Sequence, residues 1–174
     1  MAVKILRPRS GGAYTECDTY PGTGEVNWED VDDIVPDYGS TYTFAAHVHK
    51  DLYTLQTDNT RTEVINKVTV KARMWCGRSG NYFKFLIRLL GTDYMPDTMY
   101  ESVIIPWTWD LHTLEMTASP FSNTSWTWSE VNALQIGFLA CPAGDAGNVA
   151  CTQIYLYVNY SSEKKQNAFK VFYY

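Results

Sequence analysis

Several things are scarce in this chain, and each scarcity removes a class of function. Clustered Lys and Arg are missing: the only basic run is Lys4, Arg7 and Arg9, within a formal net charge of -5. A general nucleic-acid binder needs cations gathered along one face to neutralise phosphates, so that class is set aside. No stretch approaches ~20 consecutive apolar residues, so no transmembrane helix is expected. The start, MAVKILRPRSGG, has neither a continuous apolar core nor a small-residue cleavage site, and synthesis in a cytoplasm is expected. Histidines number three, and the four cysteines (Cys17, Cys76, Cys141, Cys151) form no C-x-x-C pair, which argues against structural zinc.

Reactive constellations are equally thin. Glycan-cleaving sandwiches set paired carboxylates on one strand facing a cleft. No E-x-D-x-E string occurs, and Glu101, Glu115 and Glu130 stand apart. Ser79, in G-R-S-G-N, misses G-x-S-x-G spacing and sits in a turn instead of a strand-to-helix elbow. His47 and His49 are two apart, a spacing that lets one strand face share a metal, but no third ligand is evident. The expectation is no enzyme and no cofactor.

What is present is alternation. Val64 to Trp75 reads V-I-N-K-V-T-V-K-A-R-M-W, with Val68, Val70, Ala72 and Met74 on one side and Lys67, Thr69, Lys71 and Arg73 on the other. Period two marks a strand with one wet face. The turn C-G-R-S-G-N predicts a hairpin to Asn81–Leu90, where Phe83, Phe85, Ile87 and Leu89 alternate with polar or mixed positions. Further strands are expected near Thr41–Val48, Asp51–Thr57, Met99–Pro106 and Leu111–Ala118. Two inward rows follow, Leu134, Ile136, Phe138 and Ala140, then Thr152, Ile154, Leu156, Val158 and Tyr160. Between them W-T-W-S-E-V-N-A-L predicts one helical turn, capped by Ser125 or Thr127 with Glu130 near its start.

The rhythm of about eight to ten strands predicts an all-β fold, an antiparallel β-sandwich or jelly roll in one domain. Its expected limits are 25–162. Residues 1–24, broken by Pro8, Gly11, Gly12, Pro21, Gly22 and Gly24, read as an extended N-terminal arm, with a short strand near Val3–Leu6 as the exception, and 163–174 as a C-terminal strand or tail.

Three features invite a ligand. The acidic run Glu29, Asp30, Asp32, Asp33 and Asp37 offers oxygen donors of the kind Ca²⁺ takes, although EF-hand spacing is absent and a solvated turn capping a strand is the plainer account. Trp107 with Trp109, and Trp126 with Trp128, form two W-T-W triplets. An extended triplet turns both indoles to one face, which suits a glycan platform as well as core anchoring. Cys141 and Cys151 flank a small-residue loop; a disulfide and two free buried thiols are both open readings. Tyr155, Tyr157, Tyr173 and Tyr174 fall on outward phases and offer rigid amphipathic contact area.

The order V-D-D, P-D-Y-G-S-T-Y, D-L-Y-T-L, I-N-K-V-T-V-K-A-R, W-T-W-S-E-V-N-A-L-Q-I-G-F and C-T-Q-I-Y-L-Y-V-N-Y, spanning about residues 26 to 160, resembles a family of phage and archaeal-virus virion-associated proteins, similar to concanavalin-like jelly rolls. The resemblance implies a bacteriophage-type structural protein of the virion: a non-enzymatic capsid decoration or tail component, assembled in the host cytoplasm. Its implied partners are major capsid or tail proteins and further copies of itself in a homo-oligomer, with no nucleic acid and no membrane. The alternative is a lectin-like carbohydrate-binding module.

Overall fold

The computed structural model describes residues 1–22, 26–37, 40–77, 80–101, 108–142 and 148–161. These form twelve strands and one short helix: β1 Ala2–Leu6, β2 Pro8–Thr15, β3 Asp18–Tyr20, β4 Tyr42–Ala45, β5 His49–Leu55, β6 Ile65–Cys76, β7 Tyr82–Leu89, β8 Thr92–Tyr94, β9 Tyr100–Glu101, β10 Asp110–Met116, α1 Trp128–Ala133, β11 Leu134–Cys141 and β12 Val149–Tyr160. Among the described residues, no helix is long and apolar enough to cross a membrane.

The strands make two six-stranded sheets. The front sheet runs β10-β6-β12-β4-β3, with β1 also on β12; the back sheet runs β2-β5-β11-β7-β8, with β9 also on β7. All described pairings are antiparallel. The chain is an all-β sandwich, as its alternation predicts. Val68, Val70, Ala72 and Met74 are fully buried, and so are Ile136, Phe138, Ala140, Ile154, Leu156 and Val158. Phe83, Phe85 and Ile87 close the core from the back sheet at 0% exposure. Gly137 sits at the centre of β11 because a Cβ there would fall 1.8 Å from the Asp51 carbonyl oxygen on β5.

Two expectations are corrected. Strands β6 and β7 are not a hairpin: β6 pairs with β10 and β12, whereas β7 pairs with β11, β8 and β9. Both carry an apolar row towards the same core, and placing them in opposite sheets buries both rows. A hairpin would have stacked them on one side of it.

Nor are residues 1–20 a free arm. β1 pairs with the Leu156–Tyr160 half of β12, β2 with β5, and β3 with β4, so the segment stitches front to back to front. Glycine and proline signal irregular backbone, but here they serve the bulges of β2 and the crossings between sheets. Leu6 is fully buried in the core. Tyr14 lies over the back sheet, with Lys50 Nζ 4.9 Å and Arg88 Cζ 5.4 Å from its ring centre.

One edge of β12 is shared by three segments. β1 takes Leu156–Tyr160, β4 takes Val149–Cys151, and between them Ile154 donates its N–H to the Val31 carbonyl at 2.9 Å. The register shift between Cys151 and Gln153 falls at this junction. The helix forms where the sequence places it: Thr127 caps α1, accepting from the Glu130 N–H, while the Glu130 carboxylate accepts from the Thr127 N–H at 2.9 Å. The expected tail at 163–174 lies outside the described residues, as do most of the strand expected at Met99–Pro106 and Ser79.

Candidate functional site

The outward face of the front sheet carries an aromatic belt that crosses the strands near one end. Alternation builds it. On β6 the outward row Lys67, Thr69, Lys71, Arg73 continues to Trp75. On β4, Tyr42 and Phe44 are two apart and share a face; on β3, Tyr20 pairs with Tyr42. β12 contributes Ala150, opposite Trp75 on one side and Phe44 on the other. A small side chain there leaves a trough, and Trp109, at the mouth of β10, fills it.

The rings touch in sequence across the sheet. Tyr20 stacks on Tyr42 with centroids 4.8 Å apart and planes at 14°. Tyr42 meets Trp109 at 5.6 Å, and Trp109 meets Trp75 at 6.4 Å. Phe44 stands edge-on to Tyr42 at 6.0 Å. Tyr42, Trp109 and Ala150 form a small cluster of their own, apart from the main core, with Phe44 and Trp75 half-buried against it. Tyr20 is 46% exposed, so the belt opens to water at its β3 end. The indole N–H of Trp109 is buried and has no hydrogen-bond partner among the described residues. A buried donor left over is a feature that calls for an acceptor from elsewhere.

Along the strands from the belt the face becomes polar. Gln153, Tyr155, Tyr157 and Asn159 of β12 lie opposite Arg73, Lys71, Thr69 and Lys67 of β6. Lys71 Nζ sits 4.6 Å from the Tyr157 ring centre, and Arg7 Cζ 5.5 Å from that of Tyr155. The expected contact residues Tyr155 and Tyr157 are therefore on the outward face, each lying beneath a cation; Tyr173 and Tyr174 lie outside the described residues.

Of the two W-T-W triplets, Trp126 and Trp128 are core anchors. Trp126 donates to the Met116 carbonyl at 3.2 Å and Trp128 to the Glu63 carbonyl at 3.0 Å. Trp109 belongs to the belt, and Trp107 lies outside the described residues. The belt's other members were missed by the sequence reading. The signal was present: Trp75 continues the same wet row as Lys71 and Arg73, and Tyr42 and Phe44 stand at spacing two.

The acidic turn is spent on the fold. Asp37 accepts from Thr41 N–H at 2.8 Å and from the Thr152 hydroxyl at 3.0 Å, fastening the start of β4 to the β12 bulge. The Asp33 carbonyl accepts from Arg7 at 2.6 Å and from Gln153 at 2.7 Å. Asp30 is 1% exposed, so the turn is only partly solvated. Burial raises the carboxyl pKa of Asp32 and Asp33 above the ordinary value, and for Asp33 neighbouring Asp37 and Asp32 push the same way. Among the described residues no group of three His, Cys, Asp or Glu is placed to hold a metal. His47 lies in the bend before β5, not on a strand with His49, and the two rings are 6.1 Å apart.

Cys141 and Cys151 are both free, as are Cys17 and Cys76. Cys141 is on the outward phase of β11, whereas Cys151 faces inward from the other sheet. Burial drives the Cys17 and Cys151 thiols well above the ordinary cysteine value. Glu115 is ion-paired to Lys67 at 2.6 Å, and Glu130 is held in the helix cap.

No protein-family model and no curated protein matches the chain. Two solved structures follow a similar course. One is the CBM35, a carbohydrate-binding module, of Abf62 from Cellvibrio japonicus, at 13% identity and a TM-score of 0.47, covering 92% of this chain and 95% of that one. The other is the CBM36-1 domain of a multidomain xylanase from the hindgut metagenome of Trinervitermes trinervoides, at 8% identity and a TM-score of 0.40, covering 93% of this chain and 100% of that one. At these identities and scores the likeness carries nothing about a ligand.

The expectation of a virion coat or tail component is corrected here. Both structures named above are carbohydrate-binding modules and not virion proteins. The arm expected to reach a neighbouring subunit is three paired strands of this chain's own sheets.

Proposed function

We propose that the chain is a non-catalytic carbohydrate-binding module that holds a glycan on the aromatic belt of its front sheet. The observation that carries this reading is the belt itself: Tyr20, Tyr42, Trp109 and Trp75 in ring-to-ring contact on the outward side of a sheet. Aromatic groups on that side are not needed to fill the core, which is closed by the inward rows. A sugar ring presents C–H groups on its faces and hydroxyls at its rim. The electron-rich face of an aromatic ring attracts the former, and polar side chains farther along the same face, Lys71 and Asn159 among them, serve the latter. Such a surface retains a sugar without a group that breaks its glycosidic bonds.

The test is retention of the purified protein in native gels containing a panel of soluble polysaccharides, followed by titration calorimetry on those that slow it. Tyr20→Ala and Trp75→Ala should each weaken binding about tenfold, equivalent to ~1.4 kcal/mol, with the melting transition intact. Failure to bind any polysaccharide, or binding indifferent to both substitutions, overturns the proposal.

A further inference from the structure

We infer that the glycan held on this face is an acidic polysaccharide, whose carboxylates are met by Lys71 while its sugar rings lie on the aromatic belt. The inference rests on the glycan-binding reading above and goes further, naming the class of ligand.

Charge complementarity carries it. The chain is acidic overall, at -5, yet the outward row of β6 next to Trp75 is basic: Arg73, Lys71 and, beyond Thr69, Lys67. The carboxylates near this row are already engaged. Glu115 is ion-paired with Lys67 at 2.6 Å. Asp32 and Asp33 interact with Arg7, which also donates to the Asp33 carbonyl. Lys71 remains, and among the described residues no carboxylate pairs with it. Positive charge is therefore left over beside the belt, on a protein whose balance is negative.

Lys71 is also pre-positioned. Its ammonium lies 4.6 Å from the Tyr157 ring centre, which holds a flexible stem down against the sheet. Less rotamer freedom then remains to be lost when an anion arrives. A rigid pair of this kind, half-buried on a flat face, suits a carboxylate on an extended chain better than a small diffusing ion.

Distance fixes the size of the ligand. Lys71 is four residues from Trp75 along one strand, roughly 13 Å at about 3.3 Å per residue. A single sugar ring does not reach from the indole to the ammonium. An oligosaccharide or polymer laid along β6 and β12 does, with Asn159 beside its path.

The experiment compares polygalacturonate with its fully methyl-esterified form, which keeps the backbone and loses the charge. At low salt the acid should bind wild type about threefold to fivefold more tightly than the ester, the scale of one exposed ion pair. Raising salt to about 0.5 M should remove that gap, because exposed charges are screened within a few ångströms there. Lys71→Gln should close the gap at low salt by lowering the acid's affinity to that of the ester.

Equal binding of acid and ester, or retention of neutral polysaccharides alone, overturns the acidic preference and leaves the glycan reading standing. Acid binding that Lys71→Gln abolishes but Tyr20→Ala and Trp75→Ala leave untouched overturns the shared surface, and with it the belt as the sugar site. If no polysaccharide binds, both fall. Displacement of the polyuronate by duplex DNA at equal charge overturns its sugar part.

Discussion

Asn27 donates from its side-chain amide to Asp51 Oδ2 at 2.9 Å, tying the segment before the acidic turn to a carboxylate buried in the core. The same amide reaches the Cys17 carbonyl at 2.8 Å. Asp51 also accepts from the backbone N–H of Glu16 at 2.8 Å, that of Cys17 at 3.0 Å, and the Tyr53 hydroxyl at 2.9 Å. Burial pushes its carboxyl pKa up, and these donors only partly offset the push. One side chain thus fixes the junction of β2 and β3 and the entry to the turn that covers β12.

Removing Asp51 should be costly. Asp51→Ala would leave four donors without their acceptor in a dry site, a loss of about 3 to 5 kcal/mol. Asp51→Asn keeps the shape and one acceptor oxygen, so it should lose clearly less. Urea denaturation followed by tryptophan fluorescence separates the two. A wild-type midpoint for Asp51→Ala would mean that the cluster contributes nothing to stability.

Neighbouring positions on β6 should respond in opposite ways. Val70 is fully buried, between Leu114 of β10 and Leu156 of β12. Val70→Asp buries an unpaired charge and should cost on the order of 3 to 5 kcal/mol, enough to unfold much of the protein at 25 °C. Lys71→Gln, one residue along and on the wet face, should stay within about 0.5 kcal/mol of wild type. Similar melting temperatures for both would contradict the register.

The first strand should prove indispensable. β1 covers the Leu156–Tyr160 half of β12, and Leu6 at its end is 0% exposed. Deleting residues 1–6 bares that edge and opens a cavity, so the shortened chain should lose its cooperative transition. Leu6→Ala alone should cost about 2 to 5 kcal/mol. A truncated protein with wild-type stability would restore the arm that the Gly and Pro content first suggested.

The strands that carry an unbroken period of two were legible in the sequence. Val68 to Met74 and Leu134 to Ala140 go to the core because alternation is a local rule. Thr127 and Glu130 were legible because a capping box is a local hydrogen-bond exchange. What was not legible is which strands pair. The apolar rows of β6 and β7 look the same whether the strands are neighbours or face each other across the core, and only the sandwich decides it. β2 hid behind its glycines, since a bulged strand lying over another sheet has the composition of a loop. The belt was half visible: Trp109 was singled out, but its partners come from β3, β4 and β6, which no sequence window brings together.

His112 should cost the protein stability as the solution becomes mildly acidic. Its ring projects inward from β10, edge-on to Phe83 at 5.0 Å and to Tyr100 at 5.6 Å. Burial among these groups lowers its pKa below the ordinary value of 6.5, and the charge of Asp110 on the same strand only partly opposes this. The unfolded chain therefore takes up a proton near pH 6.5 that the folded chain still refuses. Above that pH the group costs nothing. As pH drops from 6.5 towards the lower folded pKa, the unfolded state gains, by at most about 1.4 kcal/mol per pH unit, and below the folded pKa the loss is complete. Between pH 7.5 and 5.5 the denaturation midpoint should shift less favourably for wild type than for His112→Phe, which keeps an aromatic ring against Phe83 and Tyr100. Parallel profiles for the two proteins would assign the pH dependence to other groups.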